Sequence, residues 1–173
     1  MSDTFKRCLS IVLEFEGGLS DDKNDRGGLT NFGILNSEYS AWRKKQGLEP
    51  RSVEFISPDE VAQIYLTEYW GPSKADQFAW PLNLVSFDGA VNCGPRQQAL
   101  WLQRALGVDA DGLIGPKTLI AAKDADPVGI SKAILEQRAD FYRGLVRKDP
   151  KQSDFIDGWM NRVITLRGFA SHA

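Results

Sequence analysis

A chain of 173 residues with a net charge of −2, two cysteines and one histidine buries a core without disulfide staples. Its apolar and charged fractions, 42% and 25%, exclude a disordered or fibrous chain, and the near balance of charge excludes a dedicated duplex-binding protein. No apolar run reaches membrane-spanning length, and without a CxxC pair or a second histidine neither a metal cluster nor a cofactor is expected.

The N-terminal stretch MSDTFKRCLSIVLEFEGG has no long apolar core and no small-residue cleavage site, so it does not read as a secretory signal. The chain is expected to be made in the cytoplasm, with other machinery delivering it if it acts elsewhere. Phe5, Leu9, Val12, Leu13 and Phe15 recur at helical intervals, predicting a helix over 3–16 with Asp3 as its cap. Gly17-Gly18 ends it, leaving Glu16 in the last turn. Residues 19–34 read as an irregular hairpin or loop. Its returning strand, LTNFGI, puts Thr30, Phe32 and Ile34 on one face. A short helix follows, capped by Asn36 or Ser37 and closed by Gly47.

Ser57-Pro58-Asp59-Glu60 is the clearest helix start, with a capping hydroxyl, a proline at the first position and a glutamate completing the box. That helix carries Val61, Ile64, Tyr65 and Tyr69 on one face and stops at Gly71-Pro72. Further helices are predicted over 82–93, 95–106, from Pro116, over 127–147 and over 153–168. Cys8 and Cys93 read as free buried thiols, with a disulfide left open. From Ser131 onward there are eight Lys/Arg against five Asp/Glu, fitting either a solvated helix face or contact with an anionic polymer. The whole is a mainly α chain with one small β element.

The stretch LEFEGGLSDDKNDRGGLTNFGI concentrates the chemistry. Cleaving a glycosidic bond takes two carboxyl groups, one protonated and one ionised, on either side of the sugar. The negative pole of a helix and apolar neighbours favour the proton-bearing form of a carboxyl, which suits Glu16 to the acid role. Asp25, in a glycine-rich and wetter loop, suits the ionised one. Asp22 is the second choice for that partner carboxylate. Thr30 offers a hydroxyl to hold a water, and Gly27 and Gly28 let backbone pass close to a substrate. The same acids also fit a solvated turn or a calcium loop, although EF-hand spacing and its closing glutamate are missing.

Sugar faces stack on aromatic rings, which makes Phe32 and Trp70 candidate platforms, with Trp42 expected in the core. Asp88 and Asn92, four apart, share a helix face. They fit either a buried pair joining helices or hydrogen-bonding groups for substrate acetamido and hydroxyl groups.

The pattern EGG, then DDKNDRGGLTNFGI, resembles the glycoside hydrolase family 108 muramidases, a family that includes phage endolysins. The order of glutamate, aspartate nine residues on and threonine five further is similar to the triad of phage lysozymes. The likeness continues through YLTEYWGP, FDGAVNCGPRQQALWLQRALGV, DGLIGPKTL and FIDGWMNR, in order and over nearly the whole chain. Departures are Lys23 and Arg26 where the family often has prolines, Leu19 in place of a usual Tyr, and Phe32 at a position more often Tyr or Trp.

The resemblance implies a lysozyme-like two-lobed fold with a small β-hairpin beside the active site. Residues 1–94 would form the catalytic lobe. Residues 95–173 would form a helical lobe whose LQRALGVDADGLIGPKTLIAA resembles a peptidoglycan-binding motif, not an independent module. It implies Glu16 as proton donor, Asp25 as partner carboxylate and Thr30 as the water-orienting hydroxyl, acting as a monomer on peptidoglycan glycan strands in the periplasm or cell wall. A holin, a secretion system or an immunity protein are the partners such delivery would involve. The competing readings are a lytic transglycosylase, which uses one glutamate and yields 1,6-anhydro products, and a non-catalytic wall-binding domain.

Overall fold

The first helix starts on a hydroxyl that precedes the expected cap. In the computed structural model, which describes residues 1–20 and 28–171, the Phe5 amide donates to Ser2 Oγ at 3.2 Å and α1 spans Asp3–Glu16. Ser2 has the extended backbone a cap requires, and Asp3 falls in the first turn, where its charge meets the positive end of the helix. Phe5, Cys8, Leu9, Ile11 and Val12 of α1 are buried.

The expected single returning strand is instead a complete hairpin. Strand β1 (Thr30–Asn31) pairs antiparallel with β2 (Ile34–Leu35), setting Thr30 opposite Leu35 and Asn31 opposite Ile34, while Ser20 bridges to Thr30. Phe32 and Gly33 form the turn with φ of 51° and 70°, the signs a tight type I′ connection demands. Thr30, Phe32 and Ile34 therefore do not share a face. Asn31 and Ile34 point into the core, and Thr30 and Leu35 are half-buried on the other side.

Helix α2 (Asn36–Lys45) begins without the side-chain cap that Asn36 or Ser37 was expected to supply. Asn36 has other work: its Oδ1 accepts from the Val53 amide at 2.8 Å, while Asn31 Nδ2 donates to the Val53 carbonyl at 3.2 Å. Two asparagines thus satisfy both backbone groups of one buried residue and clip the hairpin to the 3₁₀ turn Val53–Phe55. Trp42 is buried in α2 and stacks on Tyr39.

Helix α3 (Pro58–Tyr65) starts with the predicted capping box, Ser57 and Glu60 each satisfying the other's amide. Glu60 also accepts from Tyr39, Arg43 and Arg51, tying α2 and the following loop to the start of α3. Burial pushes its carboxyl up, but the Ser57 bonds, Tyr39 and Arg51 outweigh that and hold it below the usual range. Beyond Tyr65 the helix widens into a π turn, Leu66–Trp70. The extra residue per turn buries Trp70 and leaves Tyr69 half-exposed, reversing the expected pattern.

The chain forms two compact units, Met1–Glu68 and Tyr69–Ala173. The second is built on α4 (Leu82–Cys93), buried along Leu82–Ala90, which packs against α5 (Pro95–Ala105) and α7 (Pro127–Lys148). Gly89 makes the close α4–α5 approach possible, since a Cβ there would lie 1.9 Å from Gln98 Oε1. Helix α6 (Pro116–Asp124) starts at the expected proline, and α8 (Ser153–Ser171) packs on α7. Tyr142 of α7 stacks on Trp159 of α8, their centroids 5.0 Å apart. Both cysteines are free, and burial pushes the Cys8 thiol up to about 12. Among the described residues no helix is long and apolar enough to cross a membrane.

Asp88 is fully buried on α4 and is ion-paired with Arg138 of α7 and Arg162 of α8. Burial alone would raise its carboxyl, but the two guanidinium groups overcome this and hold it below the usual carboxylate range. Two of the C-terminal cations are thus consumed inside the protein, and Arg143 and Arg167 pair with Asp140 and Glu136. Asp88→Asn removes the charge that balances two buried cations and is expected to cost about 3–5 kcal/mol in urea unfolding at pH 7. Because the native pKa is depressed, this stabilisation is present above the ordinary aspartate value of about 4 and is lost as pH falls through the native one. The variant's stability should accordingly vary less than that of the wild type on acidification.

Candidate active site

Glu16 occupies the last position of α1, half-buried, with Oε1 shielded from solvent. What faces it is backbone. A Cβ added to Gly33 would lie 2.6 Å from Glu16 Oε2, 3.1 Å from its Cβ and 3.2 Å from its Cδ, so the bare Cα of the hairpin turn rests against the carboxyl. Gly33 is required twice over, once for this contact and once for its positive φ.

Phe32 supplies the other half of the turn at a cost. A bulky residue held at positive φ costs on the order of 1–3 kcal/mol and persists only where its surroundings enforce it. Here the enforcement is visible: the Tyr65 hydroxyl, on a side chain 1% exposed at the end of α3, donates to the Phe32 carbonyl at 2.7 Å. Three elements therefore converge. Helix α3 pins the hairpin turn, the turn seats Glu16, and α1 presents Glu16 at its end.

Thr30 lies in β1 of the same hairpin, half-buried, with its backbone exchanging two 2.9 Å hydrogen bonds with Ser20. The two candidate partner carboxylates, Asp22 and Asp25, lie outside the described residues. Phe32 stays half-exposed at the hairpin tip, beside Gly33 and hence beside Glu16. No group of acidic, cysteine or histidine side chains able to hold a metal ion occurs among the described residues.

The other candidates belong to the packing of the second unit. Trp70 is 4% exposed and meets Phe87 edge to face at 5.2 Å, so it presents no open ring for a sugar. Asp88 is the buried ion-pair centre described above. The Oδ1 of Asn92 accepts from the Tyr142 hydroxyl, which in turn accepts from Arg138, so this residue joins α4 to α7. Both residues join helices, Asp88 fully buried and Asn92 half-buried. Sequence reasoning missed Gly33 and Tyr65 at the site. The Asn-Phe-Gly step carried a turn signal, but Tyr65 was indistinguishable from a core residue.

Residues 9–94 match the sequence family described as glycosyl hydrolase 108, and residues 97–164 match one described as a predicted peptidoglycan domain. The solved structure of SagA from Brucella abortus is similar over 98% of this chain and 94% of that one, with a TM-score of 0.81 and 31% sequence identity. No curated protein matches the chain.

Gly33→Ala puts a methyl where the Glu16 carboxyl sits and forces a positive φ on alanine. It is expected to lose about 1–2 kcal/mol from the backbone term alone in chemical unfolding. A crystal structure of the variant should show the Glu16 side chain in a different rotamer; an unmoved carboxyl would mean the contact does not set its position.

Proposed function

This chain belongs to the glycosyl hydrolase 108 family, and from that premise we propose that it is a muramidase. It is a glycosidase that acts on peptidoglycan; the bond we assign to it is the β-1,4 link between N-acetylmuramic acid and N-acetylglucosamine. In this reading Glu16 gives its proton to the glycosidic oxygen as the bond to the anomeric carbon breaks. Asp25 takes a proton from a water that attacks that carbon from the opposite face, and Thr30 holds the water. One displacement with no covalent intermediate inverts the anomeric centre. The Phe32 ring, at the hairpin tip, is the proposed stacking surface for a sugar.

The observation that carries the proposal is the seat of Glu16. A general acid must be held in one orientation, and rigid elements do this better than loops. A carboxyl at a helix end, backed by a glycine Cα that a buried tyrosine fixes in place, meets that need. Asp25, five residues before Thr30, is assigned by the resemblance of this glutamate, aspartate and threonine order to the triad of phage lysozymes. The architecture is read as lysozyme-like, and the enzyme as a monomer that works without a cofactor. A holin or a secretion system would bring it to the wall, and an immunity protein would guard the cell that makes it.

Digestion of purified sacculi separates the roles. Glu16→Gln is expected to lower the release of reducing ends by about 10²–10⁴-fold, with wall binding retained. Asp25→Asn should lose a comparable factor, whereas Asp22→Asn should keep most of its activity; the reverse order would transfer the role to Asp22. Mass spectrometry of the products should find reducing N-acetylmuramic acid. Products ending in 1,6-anhydro sugars would replace hydrolysis with transglycosylation, and a wild type that binds but does not cut would leave a wall-binding module.

A further inference from the structure

A cavity of about 780 Å³ lies in the second unit, lined among others by Gln103, Val108, Asp109, Asp111, Leu113 and Lys117. All six fall inside the stretch that matches the predicted peptidoglycan domain. None is used by the catalysis described above. The volume is that of a small-molecule site, and the walls are held open by a single buried amide. Gln103, 1% exposed, donates through Nε2 to Asp111 Oδ1 at 2.7 Å and to the Leu113 carbonyl at 3.0 Å, while its Oε1 accepts from the Gly112 amide at 2.8 Å. The cavity is therefore formed before anything enters it, so little ordering cost falls on binding.

The lining specifies a ligand chemistry. It contains no aromatic ring, so the stacking that recognises sugars is missing. Its charges are of both signs. Asp109 and Lys117 are exposed, and neither has an ion-pair partner among the described residues, including each other. Asp111 is held below the usual carboxylate range by the Gln103 bond and the Leu113 amide, so it is ionised at neutral pH. Leu113 is 70% exposed, an open aliphatic surface in the same lining, with Val108 half-buried. A lining that offers both signs of charge together with open aliphatic surface fits a molecule with an ammonium and a carboxylate joined by methylenes.

We propose that this cavity binds the peptide stem of peptidoglycan through its diamino acid. The ammonium meets Asp109 and Asp111, the carboxylate meets Lys117, and the methylenes lie on Leu113 and Val108. The assignment rests on the chain acting on peptidoglycan and deepens it: the enzyme holds the stem on one unit while its candidate acid lies on the other. Binding of this kind adds effective concentration along a strand without adding contacts at the scissile bond.

Calorimetry on the full chain tests this with three soluble probes: a disaccharide tripeptide ending in a diamino acid, the same compound with that carboxylate amidated, and the disaccharide alone. The first is expected to bind most tightly. Asp109→Asn combined with Lys117→Gln should weaken it about tenfold, two exposed pairs being lost, and the amidated probe should already be weaker on the wild type. Methyl resonances of Leu113 and Val108 should shift with the tripeptide probe and stay still with the disaccharide. Equal wild-type affinity for the tripeptide probe and the disaccharide, or an unchanged affinity in the double variant, would overturn the proposal. Failure of the muramidase reading would appear in sacculus digestion instead, an assay that leaves these affinities untouched.

Discussion

A side chain of any size at position 33 would occupy the space that the Glu16 carboxyl needs. Much of the first unit can be understood as enforcing that contact. The turn must place two residues at positive φ, and only one of them is glycine, so Phe32 carries strain that the Tyr65 hydrogen bond offsets. Tyr65 is useful only if α3 is fixed. Its start is locked by Ser57 and by Glu60, which gathers Tyr39, Arg43 and Arg51 around one carboxylate. Asn31 and Asn36 fix the other side of the hairpin on Val53. The result is a carboxyl whose surroundings are set by secondary structure and capping, not by a flexible loop.

The second unit uses polar chemistry differently. Asp88, Arg138 and Arg162 are buried where apolar residues of similar volume would pack with less desolvation cost. Such a triad defines which faces of α4, α7 and α8 meet, because a shifted helix would leave a charge without its counter-ion. Gln103 does the same on a smaller scale, using both ends of its amide to shape the loop between α5 and α6. In one case polar groups specify helix register; in the other they hold a cavity open.

The parts of this fold that were legible in the sequence are those governed by near neighbours. Ser57, Pro58 and Glu60 announced α3, and Gly94-Pro95 and Gly115-Pro116 marked the boundaries around α5 and α6, because capping and proline geometry act within a few residues. Glu16 at the end of α1 was legible for the same reason. What was not legible depends on distant partners. Asn36 looked like a cap because nothing nearby revealed Val53. Trp70 looked available because the π turn that buries it has no local signature. The hairpin was read as one strand because a phenylalanine at positive φ is disfavoured until Tyr65, 33 residues later, stabilises it. For Asp88 and Asn92 the helical spacing was right and their partners were invisible, so a helix-joining pair and a pair of sugar contacts looked alike.

The partners of Asp88 lie 50 and 74 residues further along the chain. During synthesis, helix α4 therefore emerges before either counter-ion of its buried anion: Arg138 arrives first and can balance the charge, and Arg162 completes the triad later. A chain stopped before α8 would hold Asp88 with only one of its two guanidinium partners, leaving the meeting of α4, α7 and α8 incomplete. The same late closure ties the order in which the ribosome delivers helices to the order in which the core can form.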